Sequence, residues 1–192
     1  LSGVTVGSLY ALIAIGYTMV YGILRLINFA HGDIFMMAGF FMVYISASCS
    51  LAVSIPLVLL LTVLLGVAIE KAAYKPLRTA PRMSVMISAI GVSYLLQNLA
   101  TYVTGGLAQA YPNIPWLRKE IALGSITVKR LAILTPVLTI LLVVALVLII
   151  KHTKMGMAMR AVAKDFDTAQ LMGIRIDRVI SITFVIGSLL AA

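Results

Sequence analysis

Charge is scarce in this 192-residue sequence. Only 11% of the residues are Asp, Glu, Lys or Arg, and six of those are carboxylates, while 62% are hydrophobic. Mean hydropathy is +1.11. Soluble domains carry about 25% charged and about 45–50% apolar residues, so a water-soluble enzyme is excluded. Histidine, with two copies, and cysteine, with one, are scarcer still. A single thiol cannot form an internal disulfide, and Cys49 reads as a small buried hydrophobe. His31, His152 and Cys49 have no spacing that makes a four-ligand metal set. No metal and no cofactor are expected. GxxxxGK[ST], HExxH and GxSxG are all missing, which removes a P-loop nucleotide cradle and the common hydrolase signatures. The long apolar runs also lack the period-2 alternation of an outer-membrane barrel. Helices must then satisfy the backbone within lipid.

What is present is a polytopic, all-α transmembrane helix bundle of about six spans. Val4–Leu24 is the first, with Gly3, Gly7 and Ala11 four apart on one face, a spacing that lets a second helix approach. From Ile34 to the next charge at Glu70 lie thirty-six residues, too many for one span and right for two, near 34–50 and 53–70. The small polar stretch "SASCSLAVS" and Pro56 mark the turn between them. Met83–Thr104 carries Ser84, Ser88, Ser93, Gln97, Asn98 and Thr101, so it faces other helices or a water-filled path. Residues 105–130 form a long connection. In it "IALGSITV" reads as a hairpin about Gly124-Ser125, and Tyr111 and Trp116 suit an interface. Leu131–Ile150 is a clean, lipid-facing span. A last span opens near Val179. Its apolar run is about fourteen residues, against about 20 needed to cross a bilayer. The expectation is that the chain is truncated at its C-terminus. The start at Leu1, with no basic n-region, does not read as a signal peptide.

The net charge of +9 is read as topogenic rather than as a nucleic-acid surface. Lys71, Lys75, Arg78 and Arg82 share one loop. Lys151, Lys154, Arg160, Lys164, Arg175 and Arg178 share another. By the positive-inside rule both are cytoplasmic. The segment around Arg25 falls on the same side and Leu1 outside. The 105–130 loop is then external despite Arg118, Lys119, Lys129 and Arg130.

"RLINFAHGDIFMM" (25–37) is the oddest stretch, with Arg25, Asn28, His31 and Asp33 set between apolar runs. Two readings stay open. Residues Asn28 to Asp33 form a tight turn, with Asp33 as the cap of a helix starting near Ile34. Alternatively the positive helix end, Asn28 and His31 also border a transport path, as broken helices do. Ser88, Ser93, Gln97 and Asn98 are the other candidate path residues. A secondary carrier using Asp33 or His31 as proton relay is the competing class.

The polar segment 151–178 holds a helix from Gly156 to Met172, stopped by Gly173 in the manner of a glycine cap. Asp167-Thr168-Ala169 with Gly173 resembles the coupling motif of ABC permeases, Glu-Ala-Ala followed by glycine. Together "GVTVGSLYALIAIGYTMVYGILRLINFAHGDIFMMAGF", "ISAIGVSYLLQN" and "MGMAMRAVAKDFDTAQLMGIRIDRVISITFVIG" resemble a branched-chain amino-acid ABC-transporter permease, the first of its two types. The resemblance runs through nearly all 192 residues. It implies one permease domain over 1–192, with a cytoplasmic coupling-helix region at 156–174. Asp165, Asp167, Ala169 and Gly173 would be its ATPase-coupling residues. It implies a non-catalytic subunit of a prokaryotic inner-membrane importer. The implied partners are a second related permease, two ABC ATP-binding subunits and an extracytoplasmic amino-acid-binding protein. Urea and short-amide permeases share a similar first third, so the substrate stays open between these and Leu, Ile or Val.

Overall fold

The computed structural model describes residues 2–24, 27–77, 80–111, 120–123 and 126–192. Arg25, Arg78, Trp116, Arg118, Lys119 and the Gly124-Ser125 turn lie outside the described residues, as does the Arg82 side chain.

The chain builds α1 (Ser2–Leu24), α2 (His31–Ser48) and α3 (Leu51–Ile69), which runs on through a π turn (Glu70–Tyr74) and a 3-10 turn (Lys75–Leu77). Then come α4 (Arg82–Thr104), β1 (Glu120–Leu123), β2 (Ile126–Lys129), α5 (Arg130–His152), α6 (Lys154–Lys164), α7 (Phe166–Leu171) and α8 (Ile176–Ala191). Among the described residues four helical stretches are long and apolar enough to cross a membrane: Gly3–Leu24, Leu51–Leu77, Met83–Thr104 and Arg130–His152. α2 and α8, of 18 and 16 residues, pack among them, which accounts for the expected bundle of about six. β1 and β2 pair antiparallel with Glu120 opposite Lys129, so the hairpin reading holds. α5 keeps most of its surface exposed, with Thr139 and Leu146 buried.

Several expectations change. Among the described residues nothing lies within 4 Å of where a Cβ on Gly3 or Gly7 would be. The close approaches occur elsewhere, where α8 crosses other helices. A Cβ at Gly16 would sit 2.8 Å from His31 Nε2 and 3.5 Å from the Gly187 carbonyl. One at Gly66 would overlap the Ser188 hydroxyl. The α2–α3 turn falls at Cys49 and Ser50, and Pro56 lies inside α3. Cys49 is exposed rather than buried, because it ends α2 at the edge of the bundle.

α8 is the hub, in contact with α1, α2, α3, α6 and α7. Its inner face carries Ile180, Phe184 and Ala191 into the main core, with Val20, Ile34, Ile69, Tyr74 and Leu96. A second core joins Ile23, Met159, Val162, Ala169 and Val179 where α6 and α7 tuck beneath α1 and α8.

α2 does not begin at the end of the bundle. His31 lies against Gly16, eight residues and about 12 Å of helix rise before the end of α1. On α8 the same level is Gly187, eleven residues and about 16 Å after its start. The N-terminus of α2 therefore lies within the helix bundle, not at its end.

Candidate functional site

The turn into α2 is built on Asn28. Its side-chain Oδ1 accepts from the Ala30 N–H at 3.1 Å and from the Tyr74 hydroxyl at 2.8 Å. The Tyr74 ring packs on Phe184 with centroids 5.1 Å apart. One asparagine thus joins the start of α2, the π turn after α3, and α8. His31 is 1% exposed. It is wedged at the Gly16–Gly187 crossing and edge-on to Tyr17 at 6.2 Å. Among the described residues, Asn28 Nδ2 and His31 Nε2 are buried without a hydrogen-bond partner.

Asp33 is not the cap. The helix starts three residues earlier than Asp33's capping role required, at His31, with Ala30 at the N-cap position and no side-chain cap bond. Asp33 instead lies in the first turn, where a carboxylate still complements the helix dipole. There its Oδ1 accepts from Gln97 Nε2 on α4 at 3.0 Å. The same amide donates to Ser93 Oγ at 3.1 Å. Of the residues proposed for a path, Gln97 and Ser93 therefore cluster with Asp33, the residue expected as the cap. Ser88 is apart from it, donating to the Ala73 carbonyl at 3.3 Å. Asn98 is exposed and donates to the Tyr94 carbonyl on its own helix at 2.7 Å. Asn28 and His31 lie behind the cluster, in the bundle. Beyond Asp33 and Gln97 the two helices run in parallel and border a half-open apolar groove of about 240 Å³ lined by Met37, Phe40, Phe41, Tyr44, Leu99, Ala100, Val103 and Thr104.

Glu70 escaped sequence reading. It looked like the first residue of a polar loop, yet it is 1% exposed. The π turn carries one extra residue per turn. Glu70, Ala73 and Tyr74 are all buried there. Ser181 on α8 donates to Glu70 Oε2 at 3.0 Å. The available signal was a lone carboxylate directly abutting a 36-residue uncharged run.

The polar segment is two helices, not the single 156–172 helix expected. α6 is capped by Thr153, whose Oγ1 accepts from the Gly156 N–H at 3.0 Å. It stops at Asp165, which adopts an extended backbone and becomes the cap of α7. Asp165 Oδ1 accepts from the N–H groups of Asp167 (3.0 Å) and Thr168 (3.3 Å), and Oδ2 from the Thr168 hydroxyl (2.6 Å). α7 closes as foreseen. Gly173 takes φ +81°, its N–H bonds the Gln170 carbonyl and the Ile174 N–H bonds the Ala169 carbonyl. Those two bonds define a Schellman motif. Ala169 is buried, Asp167 is exposed, and Leu171 and Met172 stand 88% and 79% exposed. Among the described residues no three His, Cys, Asp or Glu side chains group as metal ligands.

The family model described as branched-chain amino acid transport system, permease component, matches residues 1–192. The chain is 39% identical over 205 residues to the high-affinity branched-chain amino acid transport system permease protein LivH of Salmonella typhimurium (strain LT2), covering all of this chain and 66% of that one. It is 38% identical over 204 residues to LivH of Escherichia coli K12, with the same coverage. It is 39% identical over 205 residues to the permease protein BraD of Pseudomonas aeruginosa, again covering 66% of that protein. The chain thus spans just under two thirds of the length of these relatives. No solved structure matches it.

Proposed function

Because the chain belongs to the permease-component family of branched-chain amino acid transport systems, we propose that it is a membrane subunit of an ATP-driven importer of leucine, isoleucine and valine. It sits in a prokaryotic inner membrane and is not itself catalytic. A second related permease completes the pathway, two ABC ATP-binding subunits supply the energy, and an extracytoplasmic binding protein delivers the amino acid.

The observation that carries this reading is α7. It is a six-residue helix, far too short to be stable alone, yet closed at both ends by specific bonds. It presents Leu171 and Met172 outward from a basic, polar segment. Such a helix suits a socket on another protein. Lys151, Lys154, Arg160, Lys164, Arg175 and Arg178 around it put this end in the cytoplasm by the positive-inside rule, where ATP-binding subunits reside.

The stroke passes from α7 through the Gly173 turn to α8, which starts at Ile176. α8 is tied to α3 and its π turn at Glu70, Tyr74 and Gly66, and to α1 and His31 at Gly16. Closing the ATP-binding subunits pushes α7, tilts α8 as a rigid body, and moves the start of α2 with it. The test is uptake of labelled leucine and of urea in proteoliposomes holding the full-length protein, its partners and ATP, with binding protein outside. Leucine uptake that survives a protonophore is expected. Urea uptake alone, or collapse with the protonophore at constant ATP, would sink the reading.

A further inference from the structure

We propose that the groove between α2 and α4 is a substrate subsite, in which Asp33 takes the ammonium of an aliphatic α-amino acid and the adjoining pocket takes its branched side chain. The proposal rests on the importer reading above.

The two helices lie side by side in the same direction. Asp33, Met37, Phe40, Phe41 and Tyr44 follow one another along one stripe of α2, at helical spacing. Gln97, Ala100, Val103 and Thr104 do the same on α4. Polar groups therefore gather at one end of the groove and apolar groups along the rest. A zwitterionic amino acid with a branched side chain has that same layout, both charges on one carbon and hydrocarbon beyond.

At the polar end the Gln97 amide donates both of its hydrogens, one to Asp33 Oδ1 and one to Ser93 Oγ. Among the described residues nothing else bonds Asp33 Oδ2 or takes the Ser93 hydroxyl hydrogen, which leaves the first for an ammonium and the second for the substrate carboxylate. Gln97 holds both in place. Asp33 is 8% exposed, so its charge is little shielded by water. Met37 lies one helical turn, about 5–6 Å, beyond Asp33, the distance over which a leucine side chain extends. The pocket there is about 240 Å³ and lined mostly by apolar side chains, with Tyr44 and Thr104 at its far end. It runs from Met37, six residues and about 9 Å of rise beyond the start of α2, to Tyr44 and Thr104 near the ends of α2 and α4.

The experiment is the same ATP-containing proteoliposome assay on the full-length assembled transporter, comparing leucine with valine. The binding protein is identical in every arm, so a change in the leucine-to-valine rate ratio belongs to the permease. Ala100→Val narrows the pocket and should lower the ratio about tenfold, the low end of what one methylene is worth in a fitted pocket. Val103→Ala widens it at a half-exposed position and should raise the ratio. Asp33→Asn keeps the Gln97 bond, removes the charge, and should lower uptake of both amino acids about tenfold with the ratio unchanged. If Ala100→Val does not assemble, the direction of the Val103→Ala ratio decides. Wild-type leucine uptake with the ratio unmoved in the pocket variants overturns this subsite and leaves the importer standing. No wild-type uptake of either amino acid overturns both.

Discussion

The Glu70 carboxylate accepts a hydrogen bond from the Ser181 hydroxyl at 3.0 Å, between residues 111 positions apart. It fastens the turn after α3 to α8, about one and a half turns after that helix starts at Ile176. A buried hydrogen bond of this kind contributes about 0.5–1.5 kcal/mol net. Ser181→Ala should therefore lower the thermal midpoint of the purified transporter in detergent and weaken uptake more than ATP hydrolysis, since the stroke would reach α8 but pass less firmly to α3. An unchanged midpoint would mean the bond carries no load.

Among the described glycines at helix crossings, Gly66 makes the closest approach, against Ser188. A Cβ on Gly66 would overlap the Ser188 side chain, so Gly66→Ala should force α3 and α8 apart at a cost of about 1–3 kcal/mol, the usual range for overpacking. Ser188→Gly removes the obstructing atoms and should restore most of that loss. The double-mutant cycle, read as thermal midpoints, tests the pair directly. Additive losses would place the strain somewhere other than this contact.

Much of this was legible because it is local. Apolar runs bounded by charge marked α1, α3, α4 and α5 to within a residue or two. The Gly-Ser hairpin and the Gly173 stop followed from turn chemistry. What was missed depends on tertiary contact. Gly3 and Gly7 have the spacing of a packing face, yet among the described residues nothing lies within 4 Å of where their Cβ atoms would be, whereas Gly16 and Gly187 are set by a crossing between the two ends of the chain. Asp33 has the composition of a cap, but Gln97, 64 positions away, claims its carboxylate. Glu70 reads as loop because nothing local announces a π turn. Asp165 splits a periodic helical pattern because its carboxylate satisfies two N–H groups that would otherwise be unpaired. That contest between side chain and backbone is invisible in the pattern of apolar residues.

Asp165 gives a prediction of its own. Asp165→Ala removes the cap of α7 and should cost about 0.5–2 kcal/mol, while Asp165→Ser retains a capping oxygen and should recover much of it. Because α7 is so short, that loss falls on the docking helix rather than on the bundle. The expected result is intact assembly with reduced binding-protein-stimulated ATP hydrolysis in the Ala variant and near-normal hydrolysis in the Ser variant. Equal defects in both would show that the cap is not what holds α7 in shape.

Gly173 occupies a backbone region, φ +81°, that L side chains rarely adopt, and a Cβ there would meet no neighbour. A substitution is therefore penalised through the backbone alone. Gly173→Leu should open the Schellman turn and uncouple ATP hydrolysis from uptake while leaving the spans assembled. Gly173→Asn, the residue that best tolerates a left-handed conformation after glycine, should uncouple less. Normal leucine uptake in the Leu variant would remove the turn from the lever.

Leu171 and Met172 have no partner within the described bundle to explain their exposure of 88% and 79%. Two large apolar side chains at the tip of a charged segment are unfavourable in water and favourable in a socket, with about 1.5–3 kcal/mol for fully burying each. Leu171→Ser with Met172→Ser should therefore leave folding of this chain unchanged, or slightly improve its solubility in detergent, while weakening retention of the ATP-binding subunits during purification. The two effects point in opposite directions, which separates docking from a structural role. A pair of residues that served only the fold would lower the thermal midpoint of the isolated permease when changed to serine. A pair that serves a partner should lower it only in the assembled transporter.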